Sequence, residues 1–287
     1  MYTIILSQDH FIHKDALLFP IEERGMQFGD GVYEVIRIYD GRLYLLEEHI
    51  DRLFRSLSAI EINIPFTKEQ LKKNLYQLIE LNEMFTDGFI YMQVTRGMAE
   101  RNHPFPKYAT PNLYAYIKKR KRPLTLLKKG TKAITLPDER WANCYIKSLN
   151  LLPNVLAKQK ATEQGAYEAI LHREQIVTEG SSSNVFLVKN DTIYTHPEAK
   201  IILNGCVRMR ILRLADEKGI TIVEEPFTLN DLDEADELFI TSSISEVMPI
   251  THVNNKAING GKVGHMTKQL QQAYETDAQI GKRLGQN

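Results

Sequence analysis

Asp40-Gly41 separates two short runs, Val35–Tyr39 and Arg42–Leu46, that read as paired strands, because this dipeptide supplies the positive-φ positions of a tight hairpin turn. The apolar spacing changes directly afterwards: Ile50, Leu53, Phe54, Leu57 and Ile60 recur at helical intervals and predict one buried stripe. A second helix follows with Leu71, Leu75, Leu78 and Ile79. Phe89–Thr95 and Leu113–Ile117 then read as strands, joined by the polar segment Arg96–Asn112. Strands and helices mix without strict β-α-β alternation, which points to α/β domains of the α+β kind.

The second half reads the same way. A strand is expected at Lys132–Leu136 and a helix from about Leu151 to Gln164. Tyr167–Leu171 with Ile176–Thr178, and Asn184–Val188 with Thr192–Thr195, look like hairpin pairs. Val207–Lys218 reads as a helix closed by Gly219, which supplies the positive φ wanted at C′. Strands Thr221–Glu225 and Glu237–Thr241 and a helix over Val263–Tyr274 complete the pattern. Between the halves lies Lys-Lys-Arg-Lys-Arg-Pro at 118–123. It reads as a solvated linker rather than a nucleic-acid patch, because the run is short and lacks interleaved aromatics. The expected organisation is an N-terminal domain over 1–118, a linker over 119–123 and a C-terminal domain over 124–287.

Bulk properties remove several function classes. Lys plus Arg equals Asp plus Glu at 36 each, so charge makes no case for nucleic acid or an anionic membrane. No apolar run approaches the roughly 20 residues of a spanning helix, and the N-terminal MYTIILSQDHF lacks the basic start of a secretory signal. The only cysteines, Cys144 and Cys206, suggest no disulfide framework. A cytoplasmic enzyme without nucleic-acid or membrane partners is expected. Gly29-Asp30-Gly31 is not completed into a dinucleotide fingerprint, and Gly260-Gly261-Lys262 lacks P-loop spacing. The eight histidines form no HExxH and the cysteines no zinc pair, so no metal site is expected; a GxSxG nucleophile elbow is absent too.

Three segments carry chemistry. Lys147 stands in Asn-Cys-Tyr-Ile-Lys-Ser-Leu-Asn-Leu-Leu, with an apolar residue before it and a largely apolar helix after it. Desolvation favours a neutral, nucleophilic amine, although a surface lysine snorkelling along apolar neighbours fits the same segment. Thr178-Glu179-Gly180-Ser181-Ser182-Ser183-Asn184 places a carboxylate before a glycine and three hydroxyls, between two strands. By itself this is equally a polar loop with a turn glycine. Arg101 and His103 sit two apart in the loop after Phe89–Thr95. If that stretch is extended, both side chains point the same way and can converge on one anion; otherwise they are exposed polar residues of a loop.

Together with Phe28-Gly-Asp-Gly-Val-Tyr-Glu34 and Glu48-His-Ile-Asp-Arg-Leu53, these segments resemble the fold-type IV pyridoxal-5′-phosphate (PLP) enzymes. That group holds D-amino-acid transaminases, branched-chain aminotransferases and aminodeoxychorismate lyases, and the chain is most similar to the bacterial D-amino-acid transaminases. The match runs from Glu23-Arg24-Gly25 to Gly261-Lys262-Val263-Gly264, nearly the whole chain. The resemblance implies two α/β domains with the cofactor in the cleft between them, and a homodimer in which loops of one subunit close the partner's site. It makes Lys147 the Schiff-base lysine and catalytic acid–base, and pairs Glu179 with the pyridine nitrogen. Arg52, Ser182, Cys206, Val207, Ser242 and Ser243 would hold the cofactor, chiefly its phosphate. The family often has threonine at the position of Val207, so only a backbone role is carried over there. Tyr33, Arg101 and His103 would bind the substrate α-carboxylate. The implied reaction converts D-alanine and 2-oxoglutarate to pyruvate and D-glutamate. Branched-chain L-aminotransferase, which the polar Arg101-Asn102-His103 group fits poorly, and aminodeoxychorismate lyase are the alternatives.

Overall fold

The structure, a computed structural model, describes residues 2–281. The chain forms two compact units, and their division is not a single cut. Residues up to Lys121 form the first unit together with Ile146–Asn150 and Gly281; Arg122–Tyr145 and Leu151–Ile280 form the second. The short stretch carrying Lys147 therefore groups with the first unit, although its neighbours in sequence belong to the second.

The first unit contains β1 (Ile4–Ser7), β2 (His10–His13), α1 (Arg24–Phe28), β3 (Gly31–Tyr39), β4 (Arg42–Leu43), α2 (Leu46–Ala59), α3 (Lys68–Leu81), β5 (Gly88–Thr95) and β6 (Asn112–Lys119). Its antiparallel sheet runs β2-β1-β6-β5-β3-β4. The expected hairpin is present: Tyr39 pairs with Arg42, and Asp40 and Gly41 both take positive φ, 48° and 81°. Its second strand ends early, at Leu43 rather than Leu46, because Leu45 turns left-handed at φ 54° and starts α2. Strand alternation sorts β5 cleanly. Ile90, Met92 and Val94 are buried with Val32, Ile36 and Ile38 of β3 and with Ile50, Leu53, Leu71 and Leu75 of the two long helices. Each such fully buried side chain contributes about 1.5–3 kcal/mol. Thr67 caps α3, its hydroxyl accepting from the Gln70 N–H at 3.1 Å. The other sheet face carries a run of tyrosines, with Tyr91 packed between Tyr33 and Tyr116 at ring separations of 5.8 and 5.3 Å.

The second unit contains α4 (Leu124–Lys129), β7 (Thr131–Pro137), α5 (Leu152–Glu163), β8 (Glu168–Arg173), β9 (Ile176–Gly180), β10 (Asn184–Lys189), β11 (Thr192–Thr195), α6 (Cys206–Glu217), β12 (Ile222–Glu224), α7 (Leu229–Asp233), β13 (Glu237–Ser242), β14 (Glu246–Val253), β15 (Lys256–Ala257) and α8 (His265–Asp277). The sheet order is β12-β11-β10-β13-β14-β7-β8-β9, with β15 added to β14. Three neighbouring pairs are parallel, β11/β12, β14/β7 and β7/β8. Gly219 takes φ 66° just past α6, as expected.

The basic run at 118–123 is not wholly a solvated linker. Lys118 and Lys119 are the last residues of β6, and Arg122 is held by Glu246 at 2.7 Å and by Glu275. Among the described residues no helix is long and apolar enough to cross a membrane.

Candidate active site

In the first unit the Lys147 segment is stitched to the start of β3. Ser148 bridges Val32, the Tyr33 N–H donates to the Lys147 carbonyl at 3.0 Å, and the Lys147 N–H donates to Ser56 Oγ at 3.2 Å. Gly31 makes this approach possible, since a Cβ there would lie 2.9 Å from Leu149 Cδ1 and 2.5 Å from the Val94 carbonyl. Lys147 is half-buried, and its Nζ sits 4.3 Å from the centre of the Tyr33 ring. Among the described residues it has no carboxylate partner.

Arg52 lies on α2 facing β3. Its Nε and Nη2 donate to the two oxygens of Glu34, both at 2.8 Å, and His49 Nδ1 meets the same carboxylate at 2.7 Å. Glu34 is completely buried. Burial opposes its charge, but Arg52 and then His49 outweigh it and hold the carboxyl well below the usual range. The guanidinium is thus locked in direction by a bidentate clamp.

Arg101 and His103 are not arranged by strand alternation. Both pack on the Phe28 ring, His103 edge-on at 5.6 Å and the Arg101 guanidinium at 5.1 Å. Both are exposed. No hydrogen bond, ion pair or ring contact joins either of them to Tyr33 among the described residues.

In the second unit Glu179 lies within β9 rather than in the loop that follows it. Its carboxylate is buried and receives the Leu203 N–H at 3.1 Å, Asn184 Nδ2 at 3.1 Å and a guanidinium N–H of Arg140. Burial pushes its pKa up and Arg140 pulls against that shift. Arg140 is in turn clamped by Asp138, Nε to Oδ1 at 2.8 Å and Nη2 to Oδ2 at 2.9 Å. Asn184 is the hub of this corner. It pairs with Thr241 beside Ser242, its side chain reaches the Leu203 carbonyl at 2.8 Å, and a Cβ on Gly205 would lie 2.2 Å from its Oδ1. The end of β13 and the approach to α6 therefore meet at the carboxylate of Glu179. α6 opens at Cys206 with Gly205 as N-cap, and no side chain caps its first backbone N–H groups. The buried Thr241 hydroxyl has no hydrogen-bond partner among the described residues.

The Ser181, Ser182 and Ser183 hydroxyls all donate to buried Glu168, Ser182 at 3.2 Å and Ser183 at 2.9 Å. Ser242 Oγ accepts from the Ser245 N–H at 3.0 Å, and Ser243 follows it. Cys144 and Cys206 are buried thiols, and burial pushes the Cys144 thiol up to about 11, which suits packing rather than reaction.

Sequence reasoning singles out Arg52 and Glu179 but not the groups that control them. Glu34 and His49 stand inside the motifs already quoted, and asking which anion neutralises a buried Arg52 would have found them. Asn184 closes the quoted Thr178–Asn184 segment, whereas Arg140 and Glu168 carry no local signal of their role.

The chain belongs to the amino-transferase class IV family, whose model matches residues 31–253. It is 46% identical over 271 residues to the D-alanine aminotransferase of Bacillus licheniformis, covering 94% of this chain and 95% of that one. With the D-alanine aminotransferase of Staphylococcus epidermidis (strain ATCC 12228) it shares 44% over 274 residues, covering 95% and 97%. Among solved structures it resembles the branched-chain amino acid aminotransferase from Escherichia coli, with a TM-score of 0.90 over all of this chain and 97% of that one, at 23% identity. A second, the T.th. branched-chain amino acid aminotransferase complexed with N-(5′-phosphopyridoxyl)-L-glutamate, gives 0.88 at 24% identity, covering 97% and 95%. These likenesses establish the fold-type IV architecture.

Proposed function

We propose that this enzyme is a D-amino-acid transaminase that uses pyridoxal 5′-phosphate, acts as a cytoplasmic homodimer, and moves the amino group of D-alanine to 2-oxoglutarate. The residues present fit the cofactor. The first unit supplies a lysine amine without a carboxylate partner, and the second a buried carboxylate, a helix start without a capping side chain and an orphaned hydroxyl, groups that a phosphorylated pyridine aldehyde requires. The amine of Lys147 over the Tyr33 ring carries the reading furthest, because it combines a reactive group with a fixed seat.

Bound there, the cofactor supplies a carbonyl for amines and, with its ring nitrogen protonated, a sink for the electrons released at the substrate α-carbon. Lys147 Nζ would be the amine that holds it and the base that takes and returns the substrate α-proton. Glu179 holds the proton on the pyridine nitrogen. Arg52, Ser242, Ser243 and the backbone N–H groups of Cys206 and Val207 would hold the phosphate; Val207 contributes no hydroxyl, and the Ser182 hydroxyl is taken up by Glu168. Tyr33, Arg101 and His103 grip the α-carboxylate, which leaves the α-hydrogen of a D-amino acid facing Lys147. In that homodimer the Arg101–His103 loop would serve the second copy. Exposed Leu18, Ile21, Met26, Phe105 and Tyr108 on the first unit offer that copy an apolar surface. The relatives named D-alanine aminotransferase, at 43–46% identity, support the choice of substrate.

A coupled assay of D- and L-alanine, each against 2-oxoglutarate, tests the reading. Pyruvate should form much faster from D-alanine. Faster pyruvate formation from L-alanine would replace it with an L-amino-acid transaminase, and no amino transfer from either alanine would remove the transaminase reading.

A further inference from the structure

Glu23-Arg24-Gly25 is part of the sequence pattern, yet the proposed chemistry assigns Arg24 nothing. Arg24 opens α1 and Phe28 closes it, so the two stand four apart and share one helix face. The Arg24 guanidinium lies 4.7 Å from the Phe28 ring centre and is buried, only 3% exposed. Its Nε donates to Asp30 Oδ2 at 2.8 Å. Its remaining nitrogens reach across to the far loop, Nη1 to the Asn102 carbonyl at 2.6 Å and Nη2 to the His103 carbonyl at 3.3 Å. The Phe28 ring beside it receives the His103 ring and the Arg101 guanidinium.

We propose that Arg24 is the positioning residue of the substrate-carboxylate grip: it pins the backbone at Asn102 and His103 so that Arg101 and His103 meet on the Phe28 ring. This rests on the reading of Arg101 and His103 as carboxylate ligands. The contact is made to backbone carbonyls, so it orders the loop without consuming the side chains that face the substrate. Arg101 has no carboxylate partner among the described residues, whereas Arg24 and Arg96 both donate to Asp30 at 2.8 Å. Arg96 repeats the device nearby. It donates to the carbonyls of Ile60 and Glu61 at 2.6 and 3.1 Å and lies 3.6 Å from the Phe105 ring. A loop outside regular structure is otherwise free to move, and an arginine fork that spans a carboxylate and two carbonyls cannot be copied by a point charge.

The test compares the holoenzyme with Arg24→Gln, Arg24→Lys, Phe28→Leu, Arg101→Ala and the Arg24→Gln/Arg101→Ala pair. Steady-state kinetics with D-alanine is read beside amide hydrogen exchange over residues 98–108. Arg24→Gln should raise KM for D-alanine by about tenfold, the scale of one lost charge-assisted contact. It should leave kcat within about twofold, since only substrate binding is lost, and should speed exchange in that loop alone. Arg24→Lys should recover part of the KM. Phe28→Leu, which keeps α1 and the guanidinium, should raise KM as well and guards against misfolding of the Arg24 variants. The double variant should fall short of the product of the two single effects, because Arg24 acts through Arg101 as well as His103. If the two effects multiply, or kcat falls while KM stays, Arg24 is not a positioning residue. An unchanged KM in Arg101→Ala instead removes the carboxylate reading and this proposal with it, while loop exchange still reports whether Arg24 orders the loop.

Discussion

Lys147 Nζ rests 4.3 Å from the centre of the Tyr33 ring, and the Tyr33 N–H is bonded to the Lys147 carbonyl. One tyrosine therefore fixes Lys147 twice, by its ring and by its backbone, while the proposed function assigns its hydroxyl to the substrate. Tyr33→Phe separates these roles. Cofactor retention should stay unchanged and KM for D-alanine should rise by about tenfold, the cost of a hydrogen bond to a charged group. Loss of cofactor from Tyr33→Phe, measured by equilibrium dialysis, would show that the hydroxyl serves the cofactor instead.

Glu34 makes the first unit acid-sensitive. Its folded pKa is depressed, so its contribution to stability is present above the unfolded glutamate value of about 4.3 and is lost as pH falls below it. Glu34→Gln should flatten this part of the acid unfolding curve. At neutral pH it should cost about 3–5 kcal/mol, because the buried Arg52 loses its counter-charge. An acid limb identical to that of the parent protein would refute the assignment.

Burial raises the Glu179 pKa, and Arg140 pulls against that rise. Arg140→Met should leave Glu179 neutral across a wider pH range and push the acidic limb of the kcat profile upward. Glu179→Gln should still retain the cofactor but turn over slowly, since a neutral amide no longer stabilises a protonated ring nitrogen. A pH profile that does not move in Arg140→Met would mean that Leu203 and Asn184 suffice to hold the charge.

Gly205→Ala drives a methyl group into Asn184, with 2.2 Å available where a normal contact needs well over 3 Å. Asn184 must then shift away from Glu179 and Leu203, and the start of α6 with it. Cofactor affinity should fall by about tenfold, while overpacking costs about 1–3 kcal/mol of stability. Apoenzyme thermal unfolding and cofactor titration read the two effects separately, and unaltered affinity would detach this corner from cofactor binding.

Elements written in local spacing are legible in the sequence. The Asp40-Gly41 turn, the stripe of α2 and the closure of α6 at Gly219 all depend on neighbours in sequence. α1 is not legible, because five residues with a glycine at the second position show no period. β14 is hidden by Pro249 inside it and by Glu246, which enters it at φ 59°. The site divides the same way. Lys147, Glu179 and the Arg101–His103 pair stand in recognisable words, whereas Arg140 and Glu168 matter through contacts that no local pattern marks. Arg101 and His103 each touch the Phe28 ring, a contact that their spacing of two does not suggest.

The central claim is that Lys147 Nζ carries the cofactor, and borohydride reduction of the holoenzyme followed by peptide mapping tests it most directly. A pyridoxyl label on the peptide containing Lys147, and none on that peptide in an inactive Lys147→Ala variant, is the predicted result. A label on any other lysine, or a Lys147→Ala enzyme that still transaminates D-alanine at the parent rate, would contradict it.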